Sequence, residues 1–411
     1  MKIKFFLIAL SVLAVSCNKP VPQTDSNTCE VVIDVDTSSV INLSQVYSSV
    51  SYTTLQTTPN NTVGTINKLQ LGNGKLFLLD NKTNKIAIFK GNGDFIAQTE
   101  NEGRGPNEYN YIEDFEVDTI SGTIEYHDVG NLRMIKSNFE GLPISSRAFN
   151  EIRTLNFCKL SPNRYVFVAY NYPTPLYFGD QSYSVAVLDT CNNLKEAYLP
   201  IKEELEYIIV TANNRVVRFG DGVNVFIPYR NELFYVTENA CRTSYRFHYK
   251  KFKLPEKFLE EYKINKGNTS RSRDNALGIL ISRMNAIHYI DFEHNFFESE
   301  DLLQFQFCIR AVKVGNYFTA IYLKPTAKTL TGIMENDLDY GPVGSPVALQ
   351  NDTLYTCIYP SEIRERIAYV EQRYQLRGDV LARFMAMKVQ LGVVKETDNP
   401  VIGKFCIRKD L

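Results

Sequence analysis

Asn73-Gly74-Lys75-Leu76-Phe77-Leu78 puts turn residues in front of an apolar run. The arrangement returns as Ser121-Gly122-Thr123-Ile124-Glu125-Tyr126 and Pro162-Asn163-Arg164-Tyr165-Val166-Phe167. It returns again as Arg230-Asn231-Glu232-Leu233-Phe234-Tyr235, Val314-Gly315-Asn316-Tyr317-Phe318-Thr319 and Asn351-Asp352-Thr353-Leu354-Tyr355-Thr356. In the first three units the following chain matches too. Behind Phe77 come a turn at 80–84, a strand at 85–89, the turn Gly91-Asn92-Gly93 and a strand opening at Phe95. Behind Ile124 come Val129-Gly130-Asn131, a strand at 132–135 and a turn at 138–141; the third unit has a strand at 184–188 and the turn Cys191-Asn192-Asn193. Hairpins in series at about 40–50 residues per unit predict β-propeller blades, four-stranded sheets arranged around an axis. A single blade cannot bury both of its own faces, so the array must close into a ring. A β-sandwich would explain alternating strands but not their recurrence at matching intervals. The expected fold is all-β, a six-bladed β-propeller over residues 30–411.

Two stretches interrupt the rhythm. The interval from Glu232 to Asn316 is too long for one blade, and Pro255 followed by Glu256 opens a helix with proline in its first turn and acid near its positive end. A helical insertion is expected at about 253–290, from the fourth blade or its link to the fifth. A second helical region is expected at about 361–390, with Ser361 as N-cap and Gly378 as the point where it divides. Residues 400–407 then form a closing strand. The apolar runs at 31–35 and 51–55 belong to none of the six units and are expected beside that strand, so that both ends of the chain share the last blade and leave no open edge.

Composition agrees. The chain carries 25 Tyr and 25 Phe, which favour strands, and no Trp. Formal net charge is −1, which gives no basic field for nucleic acid. Of eight cysteines none forms a C-x-x-C pair, so neither a zinc site nor a redox motif is indicated. Cys158, Cys308, Cys357 and Cys406 lie in strand-like apolar runs and read as small buried hydrophobes.

The first residues concern location. Lys2 and Lys4 precede an apolar run at 5–12 that is too short to span a bilayer, followed by small residues and Cys17. This is a secretory signal over 1–16, and its end resembles a bacterial lipobox, with Ala14 where Leu is usual. Cys17 is then the expected lipid-attachment residue, and 17–29, polar with Pro20 and Pro22, the expected tether.

The segment Val63-Gly64-Thr65-Ile66-Asn67-Lys68-Leu69, the Gly103-Arg104-Gly105-Pro106-Asn107-Glu108-Tyr109 loop and the ending Asp398-Asn399-Pro400-Val401 together resemble the six-bladed propeller lipoproteins of Bacteroidetes, related in form to NHL and TolB-like propellers. The resemblance covers essentially the whole mature chain. It implies a fold and a cell-envelope location, with outer-membrane lipid anchoring, on the periplasmic face or at the surface, and it implies no catalytic residues. It also implies that Thr119 and Thr353, each in an Asp-Thr-Ile/Leu triplet, match the O-glycosylation signal of such bacteria.

Candidate sites are few. In the loop at 103–109 the glycines can take positive φ and the proline fixes it; Arg104, Glu108 and Tyr109 are either presented to the open face of the ring or held in a rigid link, with Arg104 and Glu108 paired. His288, Asp291, Glu293 and His294 are all potential metal ligands, in an order that matches no metal motif. Glu335, Asp337 and Asp339 form an acidic loop that could take Ca²⁺ but lacks the glycine and final Glu of an EF-hand. There is no G-x-S-x-G elbow and no phosphate-binding glycine loop. The expected function is a non-enzymatic binding or scaffold propeller for a protein, peptide or glycan, without catalytic residues or a resident metal. The alternative is a propeller lyase or lactonase acting on a sugar derivative, with metal-binding carboxylates or Asn in its central channel.

Overall fold

The computed structural model describes residues 28–149, 155–173, 181–210, 213–310 and 317–411. Cys17 and most of the tether lie outside them. Six antiparallel sheets follow one another along the chain. Blade 1 is Ile66–Gly72, Lys75–Asp80, Lys85–Lys90 and Phe95–Gln98; blade 2 is Ile112–Asp118, Thr123–Asp128, Arg133–Asn138 and Pro143–Ala148. Blade 3 is Asn156–Ser161, Arg164–Val168, Tyr183–Asp189 and Leu194–Pro200; blade 4 is Val216–Phe219, Gly222–Phe226, Glu232–Val236 and Cys241–Tyr249. Blade 5 is Ile290–Glu298, Leu302–Ile309, Phe318–Leu323 and Lys328–Glu335. Blade 6 joins Ser345–Gln350, Thr353–Ile358 and Val401–Ile407 to Tyr47–Thr54 from the other end of the chain. The first strand of each blade touches the first strands of both neighbours, blade 6 meeting blade 1, so the fold is a closed six-bladed β-propeller.

The packing explains the sequence pattern. Middle strands such as Gly222–Phe226 are buried at every position, because each is covered on both faces by adjacent blades. Outer strands such as Pro143–Ala148 are half-exposed and polar. Each of the six blade interfaces holds its own apolar cluster: Phe77 and Ile88 against Phe115 and Tyr126 between blades 1 and 2, Met134 and Phe149 against Phe157 and Phe167, Val166 and Val187 against Val223 and Phe234. The circuit continues with Phe226 and Phe247 against Phe305 and Phe318, Phe297 and Ile321 against Leu354 and Phe405, and Val347 and Ile402 against Leu69 and Phe89. Phe226, Phe296 and Phe305 stack at 4.5 and 4.8 Å between ring centroids.

Three sequence expectations shift by one element. The repeats at Glu232 and Phe318 are third strands rather than second strands, since blades 4 and 5 reach their second strands at Gly222 and Leu302. The run at 31–35 does not enter the last blade. Instead Cys29–Ile33 adds in parallel outside Cys241–Tyr249 of blade 4, and Val40–Asn42 adds in parallel outside Lys328–Glu335 of blade 5. Only then does Tyr47–Thr54 pair with Val401–Ile407 and close the ring. Val31 and Ile33 face the core between blades 4 and 5, while Glu30 meets Arg246 at 3.0 Å on the outside. The incoming chain thus covers two edges that would otherwise expose unpaired backbone.

Four α-helices among the described residues interrupt the ring: α1 (Glu256–Asn265) and α2 (Ser270–Met284) between blades 4 and 5, and α3 (Pro360–Arg373) and α4 (Gly378–Leu391) between the second and third strands of blade 6. Gly378, at φ +57°, separates α3 from α4 as expected. The N-cap of α3 is Tyr359 rather than Ser361: Pro360 takes the first helical position, and Glu362 accepts from the Tyr359 N–H at 2.6 Å. In a four-stranded antiparallel blade, the link between second and third strands and the link to the next blade both leave from the end where the first strand begins. Both helical pairs and the loop at 103–109 therefore share one end of the ring.

Candidate functional site

That end presents the channel mouth, the 103–109 loop and a cleft under the helices. The channel interior is occupied by its own side chains. The Lys68 ammonium of blade 1 reaches Asp114 at 2.8 Å and Glu116 at 3.0 Å on blade 2, and donates to the Phe115 carbonyl at 2.8 Å. Asp114 also accepts from Asn156 and the Phe157 N–H on blade 3, both at 3.1 Å, and Glu116 accepts from Gln70 at 2.8 Å. Burial opposes the charge on Lys68, but Asp114 and Glu116 outweigh it and raise its pKa. Across the mouth, Asn67 of blade 1 donates to Asn213, just ahead of blade 4, at 3.1 Å. What is left beside this bridge, between Asn81, Glu113 and Asn214, is a space of about 50 Å³, room for a water or two. Burial and Asp114 raise Glu113 to about 7.

The 103–109 loop is a fastening between blades 1 and 2. The Glu108 carboxylate accepts from the Gly105 N–H at 2.7 Å rather than pairing with Arg104, which is exposed. The Arg133 guanidinium and the Ser146 hydroxyl of blade 2 donate to the carbonyls of Gly105 and Pro106. The glycines answer to crowding, not to positive φ: a Cβ at Gly103 would lie 2.1 Å from Glu108 Oε2. Tyr109 is fully buried, its hydroxyl donating to the Thr99 carbonyl at 3.2 Å and its ring edge-on to Tyr126 at 5.8 Å.

The acidic loop does not converge. Glu335 pairs with Arg366, Asp337 accepts from the Ser44 N–H at 2.8 Å, and Asp339 accepts from Tyr52 at 3.1 Å and Asn336 at 2.6 Å. Among the described residues no three His, Cys, Asp or Glu side chains group as metal ligands would. Thr119 stands in an exposed turn beside Ile120, whereas Thr353 is half-buried at a strand start. The seven described cysteines are all free; Cys158 and Cys357 are buried, and Cys308 and Cys406 partly so.

One open concavity lies between blades 4 and 5 and the α1–α2 insertion. A cavity of about 540 Å³ runs beneath α1, walled by Leu205, Tyr229, Tyr249, Phe252, Leu254 and Leu259, within the size range of small-ligand sites. A second, more apolar space of about 230 Å³ lies under α2, between Ile208, Leu280 and Met284. Tyr229 borders both. Its backbone is held at φ +65°, at a cost of about 1–3 kcal/mol for so bulky a residue.

The floor carries acids. Asp291 and Glu293 both stand on the first strand of blade 5, Ile290–Glu298, whose register against Leu302–Ile309 shifts between Asp291 and His294. Asp291 is well matched: Arg310 at 2.8 Å, Tyr289 at 3.0 Å and Tyr229 at 3.2 Å all donate to it. Glu293, only 4% exposed, receives the Tyr249 hydroxyl at 3.0 Å. Burial, then Asp291, pushes its carboxyl up to about 7. The nearby Arg215 is spent on backbone, donating to the carbonyls of Glu293, at 2.7 Å, and of Val210. The sequence cluster at 288–294 thus resolves into a matched acid, a nearly unmatched acid, and His294, which meets the Tyr317 ring at 4.9 Å. Tyr229 and Tyr249 were not foreseen; nothing local to either one marks it as facing this strand.

A solved structure of similar fold is a "Putative exported protein" from Bacteroides fragilis, with TM-score 0.71, 17% identity, and coverage of 93% of this chain and 99% of that one. A member of the DUF4221 family from Bacteroides vulgatus matches at TM-score 0.48 and 10% identity, over 88% of this chain and 97% of that one. No curated protein matches the sequence. The family profile described as "Domain of unknown function (DUF4934)" spans residues 27–405.

Two outcomes follow from these charges. Lys68→Met leaves Asp114 and Glu116 buried without their cation and is expected to cost about 3–5 kcal/mol in denaturant unfolding, with Lys68→Met/Glu116→Gln recovering part of it. Glu293 holds its proton in the folded chain up to about pH 7 but releases it near 4.5 when unfolded. Its contribution to stability is therefore full below 4.5 and is lost as pH rises through 7. Melting temperatures at pH 5 and pH 8 should differ more in the native chain than in Glu293→Gln.

Proposed function

The chain belongs to the DUF4934 family, and from that premise we propose that it is an exported, lipid-anchored binding propeller of the cell envelope whose ligand enters the cleft beneath α1 and α2. The observation that carries this reading is the 540 Å³ cavity, built by an insertion that ring closure does not require and floored by an acid with a single side-chain donor. Asp114 and Glu116 of the channel are engaged with Lys68, Asn156 and Gln70, and the space beside Glu113 is only about 50 Å³, which favours binding in the cleft over lyase or lactonase chemistry on the axis. The partner is a protein, peptide or glycan rather than nucleic acid, since the chain has no excess of positive charge.

Export is supported by the apolar leader and by the name of the Bacteroides fragilis protein of like fold. Cys17 is the anchor, with the outer membrane as the site and the periplasmic side the expected face. No helix among the described residues is long and apolar enough to cross a membrane. Thr119, in its exposed turn, is better placed for a glycan than Thr353. Arg104 is exposed in its loop, at the same end of the ring, where a partner can meet it.

Two measurements test the proposal. On detergent-phase partitioning the native chain should enter the detergent phase and Cys17→Ala the aqueous phase. In a thermal-shift screen of peptides, amines and oligosaccharides, compounds that stabilise the native chain should lose their effect on Leu259→Trp, which fills the cavity. Equal shifts in both chains would place the ligand elsewhere.

A further inference from the structure

We infer that the cavity beneath α1 receives a basic side chain, an ammonium or guanidinium on an apolar stem, presented by a peptide or protein partner, with Glu293 as its counter-charge. This rests on the cleft being the binding site. The two acids on the floor strand differ in one respect. Asp291 has Arg310 at 2.8 Å, whereas among the described residues Glu293 makes no ion pair. The nearby Arg215 is turned to two backbone carbonyls rather than to the Glu293 carboxylate. A buried carboxylate without a cation is costly, and an arriving cation relieves that cost.

The remaining groups support a cation rather than an anion. The hydroxyls of Tyr229 and Tyr249 already donate to Asp291 and Glu293, so what they offer an incoming group is oxygen lone pairs and ring faces. Ring faces with a carboxyl beneath are the surroundings that ammonium and guanidinium groups favour. Leu205, Leu254 and Leu259 supply apolar wall for the stem. At the rim, Lys253 is matched by Glu256 at 3.1 Å and Lys263 by Glu203 at 2.8 Å. Lys202 and Arg230 are balanced in number by Glu204 and Glu260. The rim is thus close to neutral, and Glu293 is the buried acid of the cavity that makes no ion pair among the described residues.

In the free protein Glu293 carries its proton near pH 6.5, and pairing with a cation drives that proton into solvent. Calorimetry on the full chain with the peptide Ac-Ala-Lys-Ala-amide, its arginine counterpart and its Nε-acetyl-lysine counterpart tests this. The basic peptides should bind in the low-millimolar range or tighter. Acetylation of the lysine, or Glu293→Gln, should each weaken binding at least ~10-fold. At pH 6.5 the heat of binding should vary with the ionisation enthalpy of the buffer, showing proton release. Equal binding of acetylated and basic peptides overturns the inference, and this comparison holds even if Glu293→Gln folds poorly. If neutral ligands alone stabilise the native chain and lose their effect on Leu259→Trp, the cleft reading stands and the cation fails. If no ligand responds to Leu259→Trp, the cleft reading itself fails.

Discussion

Pairing of Tyr47–Thr54 with Val401–Ile407 is the contact on which the ring depends. Six sheets, each apolar on both faces, find cover only in one another, and six separate clusters fill the six interfaces. Removing any one interface would expose two apolar faces at once. The chain therefore ties its two ends into a single sheet, with Phe405 and Ile407 of the closing strand packed beside Tyr47. The strands at Cys29–Ile33 and Val40–Asn42 extend the same solution to the outside, covering the edges of blades 4 and 5 on the way to blade 6.

Closure also sets where function can sit. With the first strands packed around the axis and Lys68 held between Asp114 and Glu116 there, the axis serves stability. Variation is tolerated in the links, and both large insertions leave from the same end of the ring. One of them, α3–α4, packs on blade 6 through Ile363, Phe384 and Met387 and borders a wide-open hollow of about 680 Å³ between α4 and Tyr47–Thr54. The other, α1–α2, packs through Leu280 and Tyr262 but leaves a cavity between itself and the strand of Asp291 and Glu293. A strained tyrosine at 229 and an acid with an elevated pKa meet at that cavity, and such features gather where a fold gives up stability for binding.

Much of the fold was legible in the sequence because blade strands repeat turn and apolar run at near-constant spacing. The second and third strands of blades 1 and 3 are largely apolar runs set between Asn, Gly and Asp, and blade 2 repeats their turn residues at the same spacing. The register slipped in blade 5 for a local reason: Leu302 follows a Ser-Glu-Asp turn without glycine or asparagine, so the Val314-Gly315-Asn316 sequence was the stronger signal; in blade 4 the Gly220-Asp221-Gly222 turn carries glycines and was passed over for Arg230-Asn231. The placement of Val31 could not be read, because a five-residue strand carries no address for its partner. The cleft was half legible. Asp291 and Glu293 stand two residues apart in the sequence, but Tyr229 and Tyr249 come from blade 4 and its links, and only the packing of blade 4 on blade 5 brings them together.

Native-state hydrogen exchange at the closing pair tests the account most directly. If closure holds the ring together, amides of Tyr47–Thr54 and Val401–Ile407 should exchange only through global unfolding, with the same opening free energy as the central strand Tyr183–Asp189 of blade 3. Rapid exchange of Tyr47–Thr54 while Tyr183–Asp189 stays protected would show that the blades stand without the clasp, and would contradict it.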